Sequence, residues 1–578
     1  MGPGKSESTN VAADDGDVRI PGHIDWNAIN WGQVDKTVRR LQVRIVKAQR
    51  EGRYGKVKAL SRILTRSFCG RAMAVRRVTE NRGKKTAGVD GVLWNQPRSK
   101  ADAIQGLDPG RYRAKPLRRV YIPKSNGKLR PLGIPTMRDR AMQALFLLAL
   151  DPVAECRADT VSFGFRRKRS AADAVEQGFQ VLSRRRSAHW VLEGDIKGCF
   201  DNISHDWMLK NVPMDKRILR QWLKAGYLEE GAFFDTDAGT PQGGIISPVL
   251  ANMALDGLER LLFDTFMRRG RKQEKPAFGS RRLPQCPKVH LVRYADDFII
   301  TGESKDLLAD EVMPLVRDFL SERGLTLSEE KTAITPIESG FDFLGFNFRK
   351  YNGKLLIKPS KKSVGRVLRK IRDIVRDNKA VPAHVLVDKL NPVLRGWANY
   401  HRHVISAETF KGIGHQVWRA LWNWARRRHP RKGGRWVCKK YFTSRQGRNW
   451  VFFGKEPDGV VRYLYLIDTT STSRHTSLKL DAHPYDPVWD VYFAIRDGKE
   501  MAGAIHLSFE VRMLWKRQQG ICPHCRRPLG GINEWGAFRR DADSHHAVRR
   551  KDGGDDALDS LRLMHATCHR QHHALEPR

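Results

Sequence analysis

The chain has 578 residues, too many for one hydrophobic core, and its 40% apolar content suits several globular domains. Lys and Arg number 105 against 63 Asp and Glu, a formal charge of +42 with a pI near 10.3. Such an excess repels itself unless it meets a polyanion, so RNA or DNA is the leading partner class and a membrane is not: the longest apolar run, Ala144–Leu150, stops at Asp151.

Residues 1–25 are small and polar and read as a disordered tail, with no hydrophobic signal segment. From 26 to 80 the pattern is helical and basic, with Val38, Leu41, Ile45 and Val46 forming a stripe within Val34–Ala48. From about 81 to 350 short strand-like runs alternate with helical ones, as in a mixed α/β domain. Within it Val289–Val292 and Phe298–Thr301 read as strands and Tyr294–Asp297 as the tight turn between them. Residues 360–430 return to helix. There Val364, Val367, Leu368, Ile371, Ile374 and Val375 share a stripe, and Arg366, Arg369, Lys370 and Arg372 fall largely off it. A basic run, Arg426–Arg435, marks a boundary, and 436–500 is rich in aromatics and β-formers. Of the 8 cysteines, Cys522, Cys525 and Cys568 crowd the C-terminal part among many histidines, a pattern of metal binding in a reducing compartment. No internal repeat is visible.

The hairpin LVRYADDFII, Leu291–Ile300, sets two adjacent acids between almost wholly apolar runs. Acids at a buried turn need cations, and Mg²⁺, hard and content with a few carboxylates plus substrate phosphates, is the natural one. A second apolar run ends at Asp195, in HWVLEGDIKGCFDNI, with Phe200 five residues on. If the two strands lie side by side, Asp195, Asp296 and Asp297 hold two Mg²⁺ ions for in-line phosphoryl transfer. Asp296 is the expected ligand to both ions, and Asp297 to one, or to none until primer and nucleotide arrive.

YADD after an apolar strand with an upstream D-x-x-x-x-F resembles a reverse transcriptase palm, and further blocks follow in the order such a palm requires. Arg119–Thr136 (RVYIPKSNGKLRPLGIPT) resembles the fingers block that holds the incoming triphosphate, which implies phosphate contacts from Lys124 and Arg130. GTPQGGIISP, Gly239–Pro248, resembles the loop whose glutamine, here Gln242, reaches the nascent base pair. GLTLSEEKT and FDFLGF, from Gly324 and Phe341, resemble later palm blocks. The family's aromatic at Phe200 implies a block on the ribose 2′-hydroxyl. RRVTENRGKKTAGVDGV (Arg77–Val92), SFGFRRKRSAADAV (Ser162–Val175) and LNPVLRGWANYHRH (Leu390–His403) narrow the resemblance to group II intron-encoded proteins. The last of these matches their maturase (thumb) domain, with Trp397, Tyr400, Trp418 and Trp422 expected as helical core. HPYDPVWDVYFAIR, His483–Arg496, resembles the family's DNA-binding region.

CPHC (Cys522–Cys525) and MHATCHRQHH (Met564–His573) carry paired hairpin ligands, so Cys522, Cys525, His565 and Cys568 make a Cys₃His structural Zn²⁺ site. His569 and His573, four apart, share a helix face. With SHHAV, Ser544–Val548, the arrangement resembles an HNH endonuclease, which implies His545, His569 and His573 as ligands of a catalytic divalent metal, Mg²⁺ in the first instance. His546 is then the general base. A split with His572 in place of His573 has poorer helix spacing. Ser560 stands where the family has Asn, and Asp543 where it has Glu.

The resemblance implies a multidomain α+β chain. A reverse transcriptase body at 26–355, of fingers and antiparallel palm sheet, carries an N-terminal helical extension. A helical thumb or maturase domain occupies 356–430, a small DNA-binding region 431–505, and a zinc-bearing ββα-metal (HNH) domain 506–578. It implies dNTPs, target DNA and the intron's own RNA as partners, action as a ribonucleoprotein without a membrane, and a bacterial cytoplasm or an organelle of bacterial origin. Two alternatives stay open: a reverse transcriptase of another bacterial lineage, and a non-catalytic splicing factor.

Overall fold

The computed structural model describes residues 24–123, 127, 129–240, 243–267, 287–445, 447–505, 507–529, 542–548, 553, 555 and 557–575. Lys124 and Gln242 lie outside them, as do residues 1–23 of the expected tail; Ile24 already packs on the core. None of the described helices is long and apolar enough to cross a membrane.

Helices Trp31–Arg50, Tyr54–Arg66 and Phe68–Glu80 pack together against Met137–Arg157. The stripe read from sequence is the buried face of the first: Val34, Val38, Leu41, Ile45 and Val46 are all enclosed. Its start is set by Asn30, whose side chain accepts from the Gln33 N–H and so satisfies one orphan donor of the first turn. Ala144–Leu150 lies inside Met137–Arg157, buried from end to end.

Two four-stranded sheets follow. One runs in the order Leu129–Ile134, Leu117–Pro123, Tyr227–Glu229, Ala232–Phe234, its middle pair parallel. The other is antiparallel throughout, in the order Leu291–Tyr294, Asp297–Gly302, Trp190–Asp195, Ala333–Pro336. Its strands read as continuous apolar runs because both faces are covered: Val191, Leu192, Val292, Phe298, Ile299 and Ile300 are all buried. The first strand begins two residues later than the sequence pattern indicates, and Asp297 already opens the second, so the turn itself is Ala295–Asp296. Pattern alone stops the strand at Val292 because Arg293 is charged; the fold keeps Arg293 in the strand by neutralising it internally.

A three-stranded sheet over Phe341–Pro359 leads into helices Lys361–Asp377, Ala383–His401 and Ala407–Arg428, then a second three-stranded sheet, Phe442–Arg445, Arg448–Lys455 and Val461–Tyr463. These last helices and strands share one core in which Val367, Ile371, Leu386, Leu390, Leu394, Phe410, Leu421 and Trp424 are enclosed. The expectation that Trp397, Tyr400, Trp418 and Trp422 form that core is corrected: Tyr400 is 41% exposed and the three tryptophans are half-buried at its rim. Aliphatic residues together with Phe410 and Trp424 fill the interior, and the four rings expected there stand at its margin.

The C-terminal segment has its own small core, including Leu507, Val511, Leu514, Leu529, Leu561, Leu563 and Met564. Its hairpin, Ala542–His546 against Leu561–His565, runs straight into the helix Ala566–Leu575. This segment folds back onto the chain's first helices. Gln571 Nε2 donates to the carbonyls of Asn27 and Ile29 at 2.9 and 3.1 Å, Arg527 meets Asp35 at 3.0 Å, and Gly32 abuts the Cys525 carbonyl so closely that a Cβ there would lie 2.9 Å from it.

Candidate functional site

The antiparallel register sets Asp195, the last residue of its strand, directly across from Asp297, the first of its own. Asp296 sits in the turn between. Burial, the first cause for both, holds the carboxyls of Asp296 and Asp297 above the usual range, and neighbouring acids add to it; Asp297 is pushed up to about 6. Lys331 Nζ donates to Asp195 Oδ2 at 2.8 Å. A pair of carboxyls raised in this way, with Asp195 facing them across the register, is short of positive charge, and a divalent cation among hard oxygen donors fits that deficit. Arg130, on the strand Leu129–Ile134, is near enough to draw the Asp296 pKa down.

The turn is held from behind. Arg293, 1% exposed, pairs with Asp256 and reaches Asp159 at 3.9 Å, and its Nη1 donates to Asn252 Oδ1 at 3.3 Å. On the far side of the same strand the SFGF segment bridges it, Phe163 N to the Arg293 carbonyl at 2.9 Å and Arg293 N to Val161 at 3.0 Å. Gly164 is required there: a Cβ would meet the Ala295 nitrogen at 2.4 Å. Next to it Arg166 grips Glu155 with two hydrogen bonds of 2.9 and 2.6 Å, and that guanidinium keeps the carboxylate's pKa low despite burial. Sequence reasoning missed Arg293 and Lys331, although a lone arginine inside an apolar strand was a visible signal. Arg293→Met strands Asp159 and Asp256 without their cation and is expected to cost about 3–5 kcal/mol. A lowered thermal midpoint checks this; an unchanged one would mean the acids go neutral without loss.

Phe200 follows on the helix Cys199–Asn202, half-buried and edge-on to Phe165 at 6.1 Å. Gly239 and Thr240 dock on this segment: Gly239 N donates to the Ile203 carbonyl at 2.8 Å and Thr240 N to that of Phe200 at 2.6 Å. The backbone of Gly239 lies at φ +83°, where a Cβ would collide with the Asp201 backbone.

In the C-terminal segment two groups of metal-ligating atoms lie within 4.8 Å of one another. One is Cys522, Cys525, His565 and Cys568; the other is His545, His569 and His573. Three sulfurs and one imidazole, largely enclosed, suit a tetrahedral Zn²⁺. The thiols also drive the His565 pKa up to about 9 against its burial, a charge balance that a divalent ion would relieve. In the second group His569 turns Nδ1 toward Asp543 Oδ2 at 3.6 Å and Nε2 toward His573 Nε2 at 3.0 Å. That distance is an ion-pair contact, longer than a hydrogen bond, and Asp543 is exposed. His572 also touches His545, with ring centroids 4.6 Å apart, but stays outside the three-ligand group. His546 ends its strand half-buried, and strand alternation sends its Cβ to the face opposite that of His545. At Ser560 the backbone does the holding, its carbonyl accepting from Ala547 N at 2.8 Å.

Comparison with known proteins gives four matches in chain order. Residues 26–107 match the N-terminal domain of reverse transcriptase, 122–348 reverse transcriptase (RNA-dependent DNA polymerase), 364–442 the group II intron maturase-specific domain, and 522–575 HNH endonuclease. The chain is 34% identical over 300 residues to the protein YkfC of Escherichia coli, covering 47% of this chain and 78% of that one. It is 30% identical over 413 residues to the group II intron-encoded protein LtrA of Lactococcus lactis, covering 57% and 68%. A solved telomerase from Candida albicans, in complex with a fragment of telomeric RNA, aligns at TM-score 0.32 and 12% identity over 57% of this chain and 61% of that one, too loose a likeness to argue from. Polymerase, intron maturase and nuclease in one polypeptide, together with the span shared with an intron-encoded relative, make the conclusion direct: the chain belongs to the group II intron-encoded proteins and is a reverse transcriptase, maturase and HNH endonuclease in one.

Proposed function

We propose that the acids at the hairpin tip are the catalytic centre for copying RNA into DNA: Asp296 is a ligand of two Mg²⁺ ions, Asp195 completes the pair, and Asp297 joins as primer and nucleotide arrive. The observation that carries this reading is the register that faces Asp195 with Asp297 beside a half-buried Asp296 whose carboxyl is held above its usual range. The chemistry Mg²⁺ supplies when bound is activation of the primer 3′-hydroxyl and neutralisation of the departing pyrophosphate. The chain's own groups do the positioning. Lys124 and Arg130 grip the triphosphate, Gln242 meets the nascent base pair, and Phe200 closes the space a ribose 2′-hydroxyl would need. Phe200→Ala opens that space. A filled pocket discriminates by about 1–3 kcal/mol per group, so relative ribonucleotide use, read as kcat/KM for UTP against dTTP, is expected to rise about 10- to 200-fold. An unchanged ratio removes the gate role.

At the C-terminal end we assign Cys522, Cys525, His565 and Cys568 to a structural Zn²⁺ site, and His545, His569 and His573 to a nuclease metal, Mg²⁺ in the first instance. The chemistry that metal supplies when bound is stabilisation of charge on the scissile phosphate and the departing 3′-oxygen. His546, on the other strand face, takes the proton from the attacking water. His546→Ala is expected to slow DNA nicking about 10²- to 10⁴-fold with DNA synthesis untouched. Undiminished nicking would assign the base elsewhere.

In this reading the fingers and palm occupy 26–355, the thumb 356–430, the DNA-binding region 431–505 and the nuclease 506–578. The thumb helices hold intron RNA through lysines and arginines off their buried stripe, mostly by phosphate and shape. The ribonucleoprotein reverse-splices into one DNA strand, the nuclease nicks the other, and the palm extends that 3′ end on the intron template. A supercoiled-plasmid assay with the reconstituted ribonucleoprotein tests the sequence of events. Nicks on the second strand should coincide with the starts of cDNA, and cDNA starting at unrelated sites would separate the two activities.

A further inference from the structure

The half-buried tryptophans of the maturase segment do not simply cap its core. Along the helix Ala407–Arg428, His415, Trp418 and Trp422 form a rail: His415 lies over Trp418 at 6.0 Å and 24°, and Trp418 and Trp422 are parallel to within 8° at 6.2 Å. Trp450, from the neighbouring sheet, stands edge-on to both, 6.0 Å from one and 5.6 Å from the other. It arrives there through a β-bulge between the pairs Thr443–Val451 and Arg445–Arg448. Trp450 itself has φ 63°, a left-handed conformation costly for a bulky side chain. Bulges re-aim side chains beside functional sites, and this one turns an indole that is 46% exposed onto an aromatic rail.

Beside these rings is a cavity of about 270 Å³, whose lining includes Trp418, Trp450, Lys411, Arg448, Asn449 and Asp468. That is a little below the size of sites for drug-sized ligands, room for one planar heterocycle. Its edge offers charged donors and acceptors: Arg448 meets Asp468 at 3.0 Å, and Lys411 meets Glu408 at 2.8 Å, both exposed enough to exchange partners. One donor is already waiting. Trp418 Nε1 is buried and has no acceptor among the described residues, and such a group is costly unless a ligand satisfies it. At the far end of the same helix Arg426 lies 6.0 Å over the Trp422 ring, and the basic run to Arg435 follows.

We propose that this cradle takes an unpaired nucleobase extruded from RNA. The base would rest against Trp450 and Trp418, accept from Trp418 Nε1, and leave its phosphates to Lys411 and the arginines at the helix end. Aromatic faces next to a cationic track are how proteins hold single-stranded nucleic acid. The RNA assignment rests on the chain's role with intron RNA; the aromatic geometry does not.

The test uses the full chain and a single-stranded oligouridine RNA of about 10 nucleotides carrying 5-iodouridine, with a perfect RNA duplex and the DNA analogue of the single strand beside it. On irradiation the adduct should map to Trp450 or Trp418. Trp450→Ala should lower single-strand affinity about 5- to 100-fold, leave the duplex unaffected, and be rescued by Trp450→Tyr. Trp418→Phe keeps a ring, removes the donor and should lose a smaller part. Adducts that map only elsewhere, or a Trp450→Ala protein that binds the single strand as wild type does, overturn the proposal; DNA captured in preference to RNA overturns the RNA assignment. An unchanged melting temperature shows that the variants are folded. Absence of cDNA synthesis by the wild type on a primed template would strike the polymerase reading alone.

Discussion

Asp296→Ala is expected to abolish RNA-templated DNA synthesis, by more than about 10³-fold, while support of intron splicing survives. The size follows from the geometry: Asp296 is half-buried in the turn, and losing it takes away a carboxylate assigned to both metal ions. Survival of splicing follows from the architecture. The turn belongs to the core that holds the four-stranded antiparallel sheet, whereas the maturase helices have a core of their own, built on Leu390, Leu394, Phe410 and Leu421. Alanine leaves the strands intact, because Arg293 and the SFGF bridge hold them from behind. Primer extension and a splicing assay on the same preparations decide the matter; equal loss of both would show that the functions are not separable along this line.

If Cys522, Cys525, His565 and Cys568 hold a structural Zn²⁺, as proposed, its removal by chelation or through Cys568→Ser is expected to unfold the C-terminal segment and end nicking, with DNA synthesis from a supplied primer preserved. The core around Leu514, Leu561, Leu563 and Met564 is small, in the range where domains need a metal or disulfides to fold. A structural Zn²⁺ contributes roughly 10–16 kcal/mol. What else ties the segment to the rest of the chain is modest: the two hydrogen bonds of Gln571, and Arg527 with Asp35 and Arg570 with Glu80, partly exposed pairs at 3.0 and 3.6 Å that add little. Hydrogen exchange over 507–575, read against zinc content, is the check. Continued protection at zero zinc would assign the four ligands another role.

Much of this site can be read from adjacent letters. The three acids, the stripe Val34–Val46 and the Cys/His spacing are local patterns, and strand alternation, helical period and metal chemistry act over a few residues. What could not be read depends on partners far along the chain. Arg293 interrupts an apolar run, and only the fold reveals Asp256 and Asp159 waiting for it. Asp543 departs from the family's Glu, and only the fold shows its carboxylate 3.6 Å from His569. Tyr400 and Trp418 have the spacing of core residues, yet the enclosed face is a neighbouring one, which carries Leu394, Val417, Leu421 and Trp424. The bulge at Trp450 leaves no mark in composition.

Gln571 donates to the carbonyl of Asn27 across 544 residues of chain. At ribosomal speeds of about 5–20 residues per second, that separation is roughly half a minute to two minutes of synthesis. The C-terminal segment therefore reaches its seat against Asn27 only after the sheets and the maturase helices between them have been synthesised.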